Sequence, residues 1–377
     1  MSNLVLVAAA LCSTAVLAAP RAPAKFSPKV MAQFAKNPRF QKMNHLSPAT
    51  KGMVSDGTHE SNGRLRAPPT WRGSFSYAGT KYPYVMAGGN PRKGDETRID
   101  TSFIALSFVF DEFVDASGNP LRIDAGDLAG DVFGSPNFNA TKYTVGTGQF
   151  GDAVQRATFW SVMERDWHTT LNRPRVLTPV TIEVPVGQAQ VFDAGNGKML
   201  GFVNIDFLYS QLQTILQLED VHTDELPILV SRNVWADQAL GFHDAVETTR
   251  GGHSGIQTYL WTSWIDEDSI DPIFADATTL THEVSEWISD PFINNPAPGS
   301  LIPESGGFCL DVVEVGDPIE FLPNQMAPIT VRGRTYHTQV ETMLQWFSRE
   351  SPSSAFQGAY SYPDTTVLTA PAESCTP

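Results

Sequence analysis

Between about residue 75 and residue 350, apolar positions follow two different spacings along the chain. Continuous or alternating apolar runs predict strands at residues 102–110, 180–186, 201–207, 226–234 and 256–265. Apolar residues three and four positions apart predict helices at residues 149–165, 209–218, 276–289 and 338–347. A hairpin is expected at residues 329–336, with its turn at Arg332-Gly333-Arg334. These elements predict an α+β fold with a mixed sheet in a single large domain.

The two ends of the chain have a different composition from this central region. An uncharged run at residues 4–18 ends in Val16-Leu17-Ala18, which predicts a signal peptide over residues 1–18. Residues 19–70 are basic and lack apolar periodicity, so we expect a disordered leader or pro-segment. The domain is then expected over residues 71–350, followed by a Ser/Pro/Thr-rich tail at residues 351–377. No later segment is apolar for long enough to cross a bilayer, so the predicted location is extracellular, without a membrane partner.

Charge is distributed unevenly, and it limits the partners. The net charge is −15, although Lys and Arg outnumber Asp and Glu in residues 1–95, so the remainder is strongly acidic. Phosphates would be repelled, which argues against nucleic acid as a partner. The acidity is compatible with cation binding, and solubility alone also accounts for it.

Two features are typical of exported proteins. Cys309 and Cys375 remain after removal of the predicted signal peptide, and we expect them to form one disulfide in an oxidising compartment. Asn139-Ala140-Thr141 is a glycosylation sequon, and its Gly- and Pro-containing surroundings predict a surface loop carrying a glycan.

The most informative segment is Thr281-His282-Glu283-Val284-Ser285-Glu286. It has the spacing of the H-E-x-x-H helix of zinc hydrolases, with Glu in place of the second His. Positions i and i+4 share one helix face, so His282 and Glu286 are candidate ligands of one metal ion. Glu283 is the candidate base that would activate water. We expect zinc, with calcium or manganese as alternatives because carboxylates make the donor set harder. The alternative is an ordinary amphipathic helix with His and Glu on its polar face.

A catalytic metal needs about three protein ligands, so a third donor is required. Asp290 is excluded on a regular helix, because it lies two turns from His282, and Asp290-Pro291 is expected to end the helix. Glu314 or Asp317, about thirty residues further on, is one candidate, and a polar turn after a short strand is the alternative interpretation. His243 is another candidate, with the adjacent Asp244 expected to orient it.

Several of these segments occur together in a known family. The chain resembles a family of secreted bacterial and fungal proteins with a zincin-like H-E-x-x-E helix, and it is more distantly similar to plant exordium-like phosphate-induced proteins. The resembling segments are residues 148–160, 240–245, 280–292, 313–318 and 344–353. The resemblance implies export and a shared fold with a zincin-like metal helix. It also draws attention to His243, Glu314 and Asp317, which lie inside those segments.

Two functional hypotheses follow. The first is a secreted metal-dependent hydrolase, specifically a zinc peptidase acting on a protein or peptide substrate. The second is a non-catalytic secreted or cell-wall-associated protein that keeps the helix as a structural or vestigial metal site and binds a cell-wall component.

Overall fold

The structure is a computed structural model that describes residues 20–26, 65–195, 197–237, 239–320 and 322–377. The predicted signal peptide, and residues 27–64 of the predicted leader, lie outside the described residues. In the described part, the α-helices are α1 (Ala129–Gly134), α2 (Phe150–Thr158), α3 (Ile205–Leu218), α4 (Thr278–Ser289) and α5 (Leu344–Ser348). Short 3-10 turns lie at Pro91–Lys93, Pro272–Phe274 and Phe356–Gly358.

The strands of the described part are β1 (Ala24–Lys25), β2 (Thr70–Tyr77), β3 (Thr80–Ala87), β4 (Glu96–Ile99), β5 (Thr101–Val114), β6 (Pro120–Ile123), β7 (Thr141–Tyr143), β8 (Gly146–Gly148), β9 (His168–Leu171), β10 (Arg175–Val176), β11 (Val180–Val184), β12 (Ala189–Gly195), β13 (Lys198–Val203), β14 (Leu226–Arg232), β15 (Val234–Ala236), β16 (Gly241–Arg250), β17 (His253–Trp264), β18 (Pro296–Leu301), β19 (Cys309–Val312), β20 (Ile329–Val331), β21 (Arg334–Tyr336), β22 (Glu341–Thr342), β23 (Ser361–Tyr362) and β24 (Glu373–Ser374).

The predicted α+β fold class, with a zincin-like helix on one mixed sheet, is wrong. Strands make up 41% and helices 17% of the structure, which has many small sheets and a curled half-barrel. Part of the error is the predicted helix at residues 338–347, where only α5 is helical. The backbone N–H of Val340 donates to the carbonyl of Gln325, and that of Thr342 donates to the carbonyl of Val315. Long-range pairing of extended backbone has therefore replaced the local helix.

Most other predicted elements are present with shifted ends. The predicted strands at residues 102–110, 180–186 and 256–265 correspond to β5, β11 and β17, and the hairpin at residues 329–336 is formed by β20 and β21. The predicted helix at residues 149–165 ends early, at Thr158. The strand predicted at residues 201–207 ends at Val203, because Asn204 caps α3 by accepting a hydrogen bond from the N–H of Phe207.

The largest sheet carries the core of the molecule on both of its faces. Its strands run in the order β10-β5-β14-β17-β16, with β6 and β11 also paired to β5. Strand β14 is parallel to both β5 and β17, and β16 is antiparallel to β17. Successive residues of a strand face opposite sides of the sheet. One side packs against Leu208, Leu212 and Ile215 of α3, and the other packs against α4.

Helix α4 is anchored to this second face by its apolar stripe. Leu280, Val284, Trp287 and Ile288 are at most 2% exposed and pack in the same cluster as residues of β5, β14 and β17. Full burial of each such side chain stabilises the fold by about 1.5–3 kcal/mol. The stripe fixes the rotation of the helix and therefore the direction in which its polar residues point.

The predicted disulfide between Cys309 and Cys375 is confirmed. It joins the start of β19 to the residue after β24, across a sequence separation of 66, and a loop of that length corresponds to about 4 kcal/mol of stabilisation in the chain-entropy model. None of the helices in the described part of the chain has the length and apolar content needed to cross a bilayer.

The predicted surface position of the glycosylation sequon is wrong. Asn139 is only 9% exposed, and its side-chain amide donates to the backbone carbonyls of Phe133 and Ser135. The nitrogen that would carry a glycan is therefore engaged inside the fold.

Candidate metal centre

Helix α4 carries its polar residues into the interior rather than to solvent. Every residue from Thr278 to Ser289 is buried, including His282, Glu283 and Glu286. The helix ends as predicted before Pro291, with Asp290 as its C-terminal cap. An amphipathic surface helix would expose its polar face, so that alternative interpretation of the motif does not hold.

His282 and Glu286 lie on the same helix face and close together. His282 Nε2 lies 3.1 Å from Glu286 Oε2, as the i,i+4 spacing predicts. The other oxygen of Glu286 accepts a hydrogen bond of 3.0 Å from the backbone N–H of Gly316. A Cβ at Gly316 would lie 2.4 Å from His282 Nδ1, so the glycine allows the loop backbone to pack directly against the imidazole.

His243 reaches the same place from strand β16. It pairs with Leu260, which belongs to the core cluster under α4. Its Nδ1 lies 3.7 Å from Glu283 Oε2 and 3.6 Å from Glu286 Oε2. Its Nε2 lies 3.2 Å from the backbone carbonyl of Asp290. His243 is therefore located between the helix and the sheet, as a donor of the cluster.

The orienting role predicted for Asp244 is wrong. Alternation along β16 places Asp244 on the opposite face of the sheet from His243. Its carboxylate accepts hydrogen bonds from the hydroxyls of Tyr209 and Tyr259. Outside the cluster, the ring of His243 instead contacts the backbone carbonyl of Asp290.

The loop after β19 brings both of the predicted later carboxylates to the cluster. Glu314 Oε2 lies 3.7 Å from His243 Nε2, and Asp317 Oδ1 lies 3.7 Å from His282 Nε2. The predicted short strand before this loop is present as β19. The two interpretations therefore hold together, because the loop is a turn after a strand and also supplies candidate metal ligands. Asp290 contributes no carboxylate to the cluster, because its side chain accepts from the backbone N–H groups of Asn294 and Asn295.

Glu341 is a member of the cluster that the sequence did not predict. It lies in β22, is 0% exposed, and neither of its carboxylate oxygens has a hydrogen-bond partner. Gln339, two residues earlier, donates from its backbone N–H to Thr281 Oγ1 of α4 and from its side chain to the carbonyl of Gly316, so β22 follows a segment that packs against the helix and the loop. The alternation of Thr338, Val340 and Thr342 was the available signal for an extended backbone at this point.

Burial shifts the pKa of these carboxyl groups in the direction of protonation. Burial raises the pKa of Glu314 well above its usual range against the opposing charge of His243, and it raises the pKa of Glu283 as well. Burial also raises the pKa of Glu341 well above the usual range, and His282 opposes this. Glu286 is the exception: burial raises its pKa, but the charges of His282 and His243 outweigh burial and the pKa falls below the usual range.

The two imidazoles respond in the opposite sense. Burial lowers the pKa of His243, but Glu314, Glu283 and Glu286 outweigh it, and the pKa lies well above the usual range. Burial lowers the pKa of His282 too, and Glu286 outweighs it with the same result. Without a cation, protons are therefore the positive charges that the cluster retains, and a bound metal would have to displace them.

Two donor sets in the cluster have the geometry of a metal shell. The inner set is His243, Glu286 and Glu314, and the outer set is His282, Glu286 and Asp317; within each set, the candidate ligand atoms all lie within 4.8 Å of one another. Zinc bonds of about 2.0–2.2 Å place tetrahedral donors about 3.4 Å apart. In the outer set, the 3.7 Å between Asp317 Oδ1 and His282 Nε2 is too long for a hydrogen bond but close to that spacing. In the inner set, Glu286 Oε2 lies 3.6 Å from His243 Nδ1 and Glu314 Oε2 lies 3.7 Å from His243 Nε2, which are opposite nitrogens of one ring, so a single ion can use only one of these two nitrogens.

Buried carboxylate oxygens that lack a hydrogen-bond partner give a further test of whether these residues fit a cation. Glu283 Oε2, Glu314 Oε2 and both oxygens of Glu341 are buried, and none of the described residues makes a hydrogen bond to them. A buried, unpartnered carboxylate oxygen is costly, and a metal ion satisfies it directly. The donor set of imidazole and carboxylate matches zinc, and the high proportion of carboxylate also suits manganese.

Comparisons with known proteins do not identify this site. No family model, curated protein or solved structure matches the chain. The resemblance to secreted bacterial and fungal proteins and to exordium-like proteins therefore stays a prediction. The geometry of the cluster is the evidence that bears on the function of the protein.

Proposed function

We propose that this protein is a secreted metal-dependent hydrolase, specifically a zinc peptidase with Glu283 as its general base. The observation that carries the proposal is the convergence of two imidazoles with buried carboxylates at 3.1–3.7 Å, with several carboxylate oxygens lacking any other partner. His282 and Glu286 are the central ligands, and His243, Glu314 and Asp317 complete the donor sets. Export is part of the proposal, supported by the disulfide and by the apolar run at residues 4–18.

The role of Glu283 follows from its position. It neighbours His282 on the helix, and its free oxygen lies beside His243 rather than in either donor set. Zinc, when bound, would supply Lewis acidity that polarises a scissile carbonyl and acidifies water. Glu283 would accept a proton from the attacking water and pass it to the leaving amine. A Cβ at Gly241 would lie 2.6 Å from Glu283 Oε1, so this glycine leaves the space that the carboxylate occupies.

The test separates metal binding from chemistry. The full chain is secreted, loaded with zinc and assayed against a broad panel of protein and peptide substrates, with metal content measured in parallel. Glu283→Gln is expected to keep its metal and lose activity by about 10²–10⁴-fold, the usual contribution of a general base. Glu247→Gln, an exposed glutamate on the same strand as His243, is the matched control and should leave both unchanged. A Glu283→Gln variant with full activity would rule out the assigned role.

One observation favours a second function, that of a non-catalytic secreted or wall-associated protein with a structural metal. The side chains of His243 and Glu314 are only 3% and 6% exposed, and structural zinc sites are typically closed in this way. Wild-type protein that binds metal tightly but cleaves nothing on the panel would support this function over the peptidase.

A further inference from the structure

Glu286 belongs to both donor sets. Its Oε2 lies 3.6 Å from His243 Nδ1 on one side and 3.1 Å from His282 Nε2 on the other. In the described part of the chain, no set within the 4.8 Å limit contains both imidazoles. One ion therefore cannot take both histidines in the arrangement observed, whereas two ions on either side of Glu286 can take one each.

We propose that the cluster is a two-cation centre in which Glu286 bridges the inner and outer sets. The inner cation is held by His243, Glu286 and Glu314, and the outer cation by His282, Glu286 and Asp317. Two-metal hydrolase sites place their ions about 3.5–4 Å apart, a separation that one bridging carboxylate spans. The proposal deepens the proposed function and rests on it, since it concerns the same cluster.

Buried carboxylate oxygens without a hydrogen-bond partner among the described residues support a cation in the cluster. Glu314 of the inner set is 5% exposed, and its unpartnered Oε2 lies 3.7 Å from His243 Nε2. Glu341 is in neither set, but it is fully buried and both of its oxygens are unpartnered as well. The inner set therefore contains a buried oxygen that a cation would satisfy.

The two halves differ in their access to solvent. In the inner set, the side chains of His243 and Glu314 are 3% and 6% exposed, whereas His282 and Asp317 of the outer set are 11% and 19% exposed. The inner cation is consequently enclosed and holds the strand, helix and loop together. The outer cation is less enclosed, and it should exchange faster with a chelator.

The test is the stoichiometry of metal binding by the full chain. Protein stripped of metal is titrated with zinc by calorimetry, and bound zinc is counted after gel filtration. Wild type is expected to bind two equivalents, and removal by EDTA should show a fast and a slow phase. Glu314→Gln and Asp317→Asn should each retain one equivalent, with the slow phase lost in the first and the fast phase lost in the second. Glu286→Gln should bind less than one.

Controls and contrary outcomes are distinct for the two proposals. Asp220→Asn, an acidic residue whose side chain is 82% exposed, should still bind two equivalents. One equivalent in the wild type, abolished by Glu314→Gln and Asp317→Asn alike, would overturn the two-cation centre and leave the metal hydrolase standing. No bound zinc in the wild type would overturn both. The number of zinc equivalents bound by the wild type is measured first and can by itself overturn the proposals, so the test does not depend on every variant folding.

Discussion

Among the described residues, histidine–carboxylate contacts differ in whether they are complete without an ion. In two hydrogen-bonded pairs, His168 Nδ1 lies 2.8 Å from Asp152, and His337 Nδ1 lies 2.8 Å from Asp276, with a carboxylate oxygen of Glu267 within 4.8 Å of the second pair. The second oxygen of Asp152 accepts from the backbone N–H of Thr169, and that of Asp276 accepts from the backbone N–H of His337. Each carboxylate has a partner for both oxygens, so each pair satisfies itself.

The metal centre is built differently. Its imidazole–carboxylate separations are mostly 3.6–3.7 Å, and several of its oxygens have no hydrogen-bond partner. The same residue types therefore form a closed hydrogen-bonded pair in one place and an open shell of donors in another. Proximity of His to Asp or Glu is a weak indicator of a metal site, and unsatisfied donor atoms around a shared centre are a stronger one.

The largest expected effect comes from removing the shared ligand. Glu286→Gln should abolish the stabilisation of the protein by zinc, because both donor sets lose their common member. For the wild type, free zinc at about a thousand times its dissociation constant should raise the free energy of unfolding by about 4 kcal/mol. The measurement is the thermal midpoint with and without added zinc. Asp152→Asn serves as the control. If zinc fails to raise the thermal midpoint of both variants, the metal centre and the His168–Asp152 pair do not differ in the way described.

The next largest effect concerns how the stability of the metal-free protein depends on pH. The pKa of both imidazoles and of Glu283, Glu314 and Glu341 is raised in the folded state, so the folded state binds more protons than the unfolded state. Stability from these groups is present at low pH and is lost as pH rises through their folded pKa values; only Glu286 opposes this.

Chelated protein should consequently lose stability as the pH rises above 4.5, the usual pKa of the glutamates, and further as it rises above 6.5, the usual pKa of the histidines, and zinc should reverse the loss. Denaturant melts at several pH values, with EDTA or with zinc, measure this. A chelated protein whose stability instead rises with pH would mean that the carboxylates and imidazoles do not hold protons in place of a cation.

A smaller effect is expected from filling the space beside His282. The Cβ of Gly316→Ala would displace the imidazole and weaken binding at the outer set by about 10–100-fold, a loss typical of disturbing a ligand's support. Gly130→Ala in α1 is the matched control, since a Cβ there meets nothing within 4 Å. Zinc affinities are compared by competition with a chromogenic chelator. Equal affinities in the two variants would show that the packing of the loop on His282 is unimportant.

The smallest effect is expected in the self-satisfied pair. Asp152→Ala should lower the free energy of unfolding by about 1–3 kcal/mol, because it leaves the buried N–H of Thr169 without its acceptor. Zinc stoichiometry should not change. Chemical denaturation and metal analysis of the same preparation measure the two quantities, and a loss of bound zinc would place this pair in the same functional unit as the centre.

The predictable part of the site is the part that local geometry determines. The i,i+4 contact of His282 with Glu286 follows from the period of a helix, and the end of α4 at Ser289 follows from Pro291. Glu314 and Asp317 were expected only as alternatives, because their approach depends on how the loop after β19 folds back. The role expected of Asp244 failed because no strand was predicted at residues 241–250, and the two-residue period of β16 turns its side chain away from His243.

What could not be predicted depends on pairings between distant segments. Glu341 enters the cluster because β22 pairs with β23, and Thr342 donates to the carbonyl of Val315. The apolar spacing of residues 338–347 fits a helix equally well, and only those partners select the extended chain. The fold class was wrong for the same reason: local periodicity predicts elements but does not count how many small sheets they form.

The most direct test of the metal centre is an anomalous difference map, measured at the zinc edge, from crystals of the full chain grown with zinc. We expect density beside Glu286, with one peak among the inner donors and a second among the outer donors, each about 2.0–2.2 Å from its ligand atoms. A map with zinc only at surface sites, and with the imidazoles hydrogen-bonded to the carboxylates in its place, would contradict it.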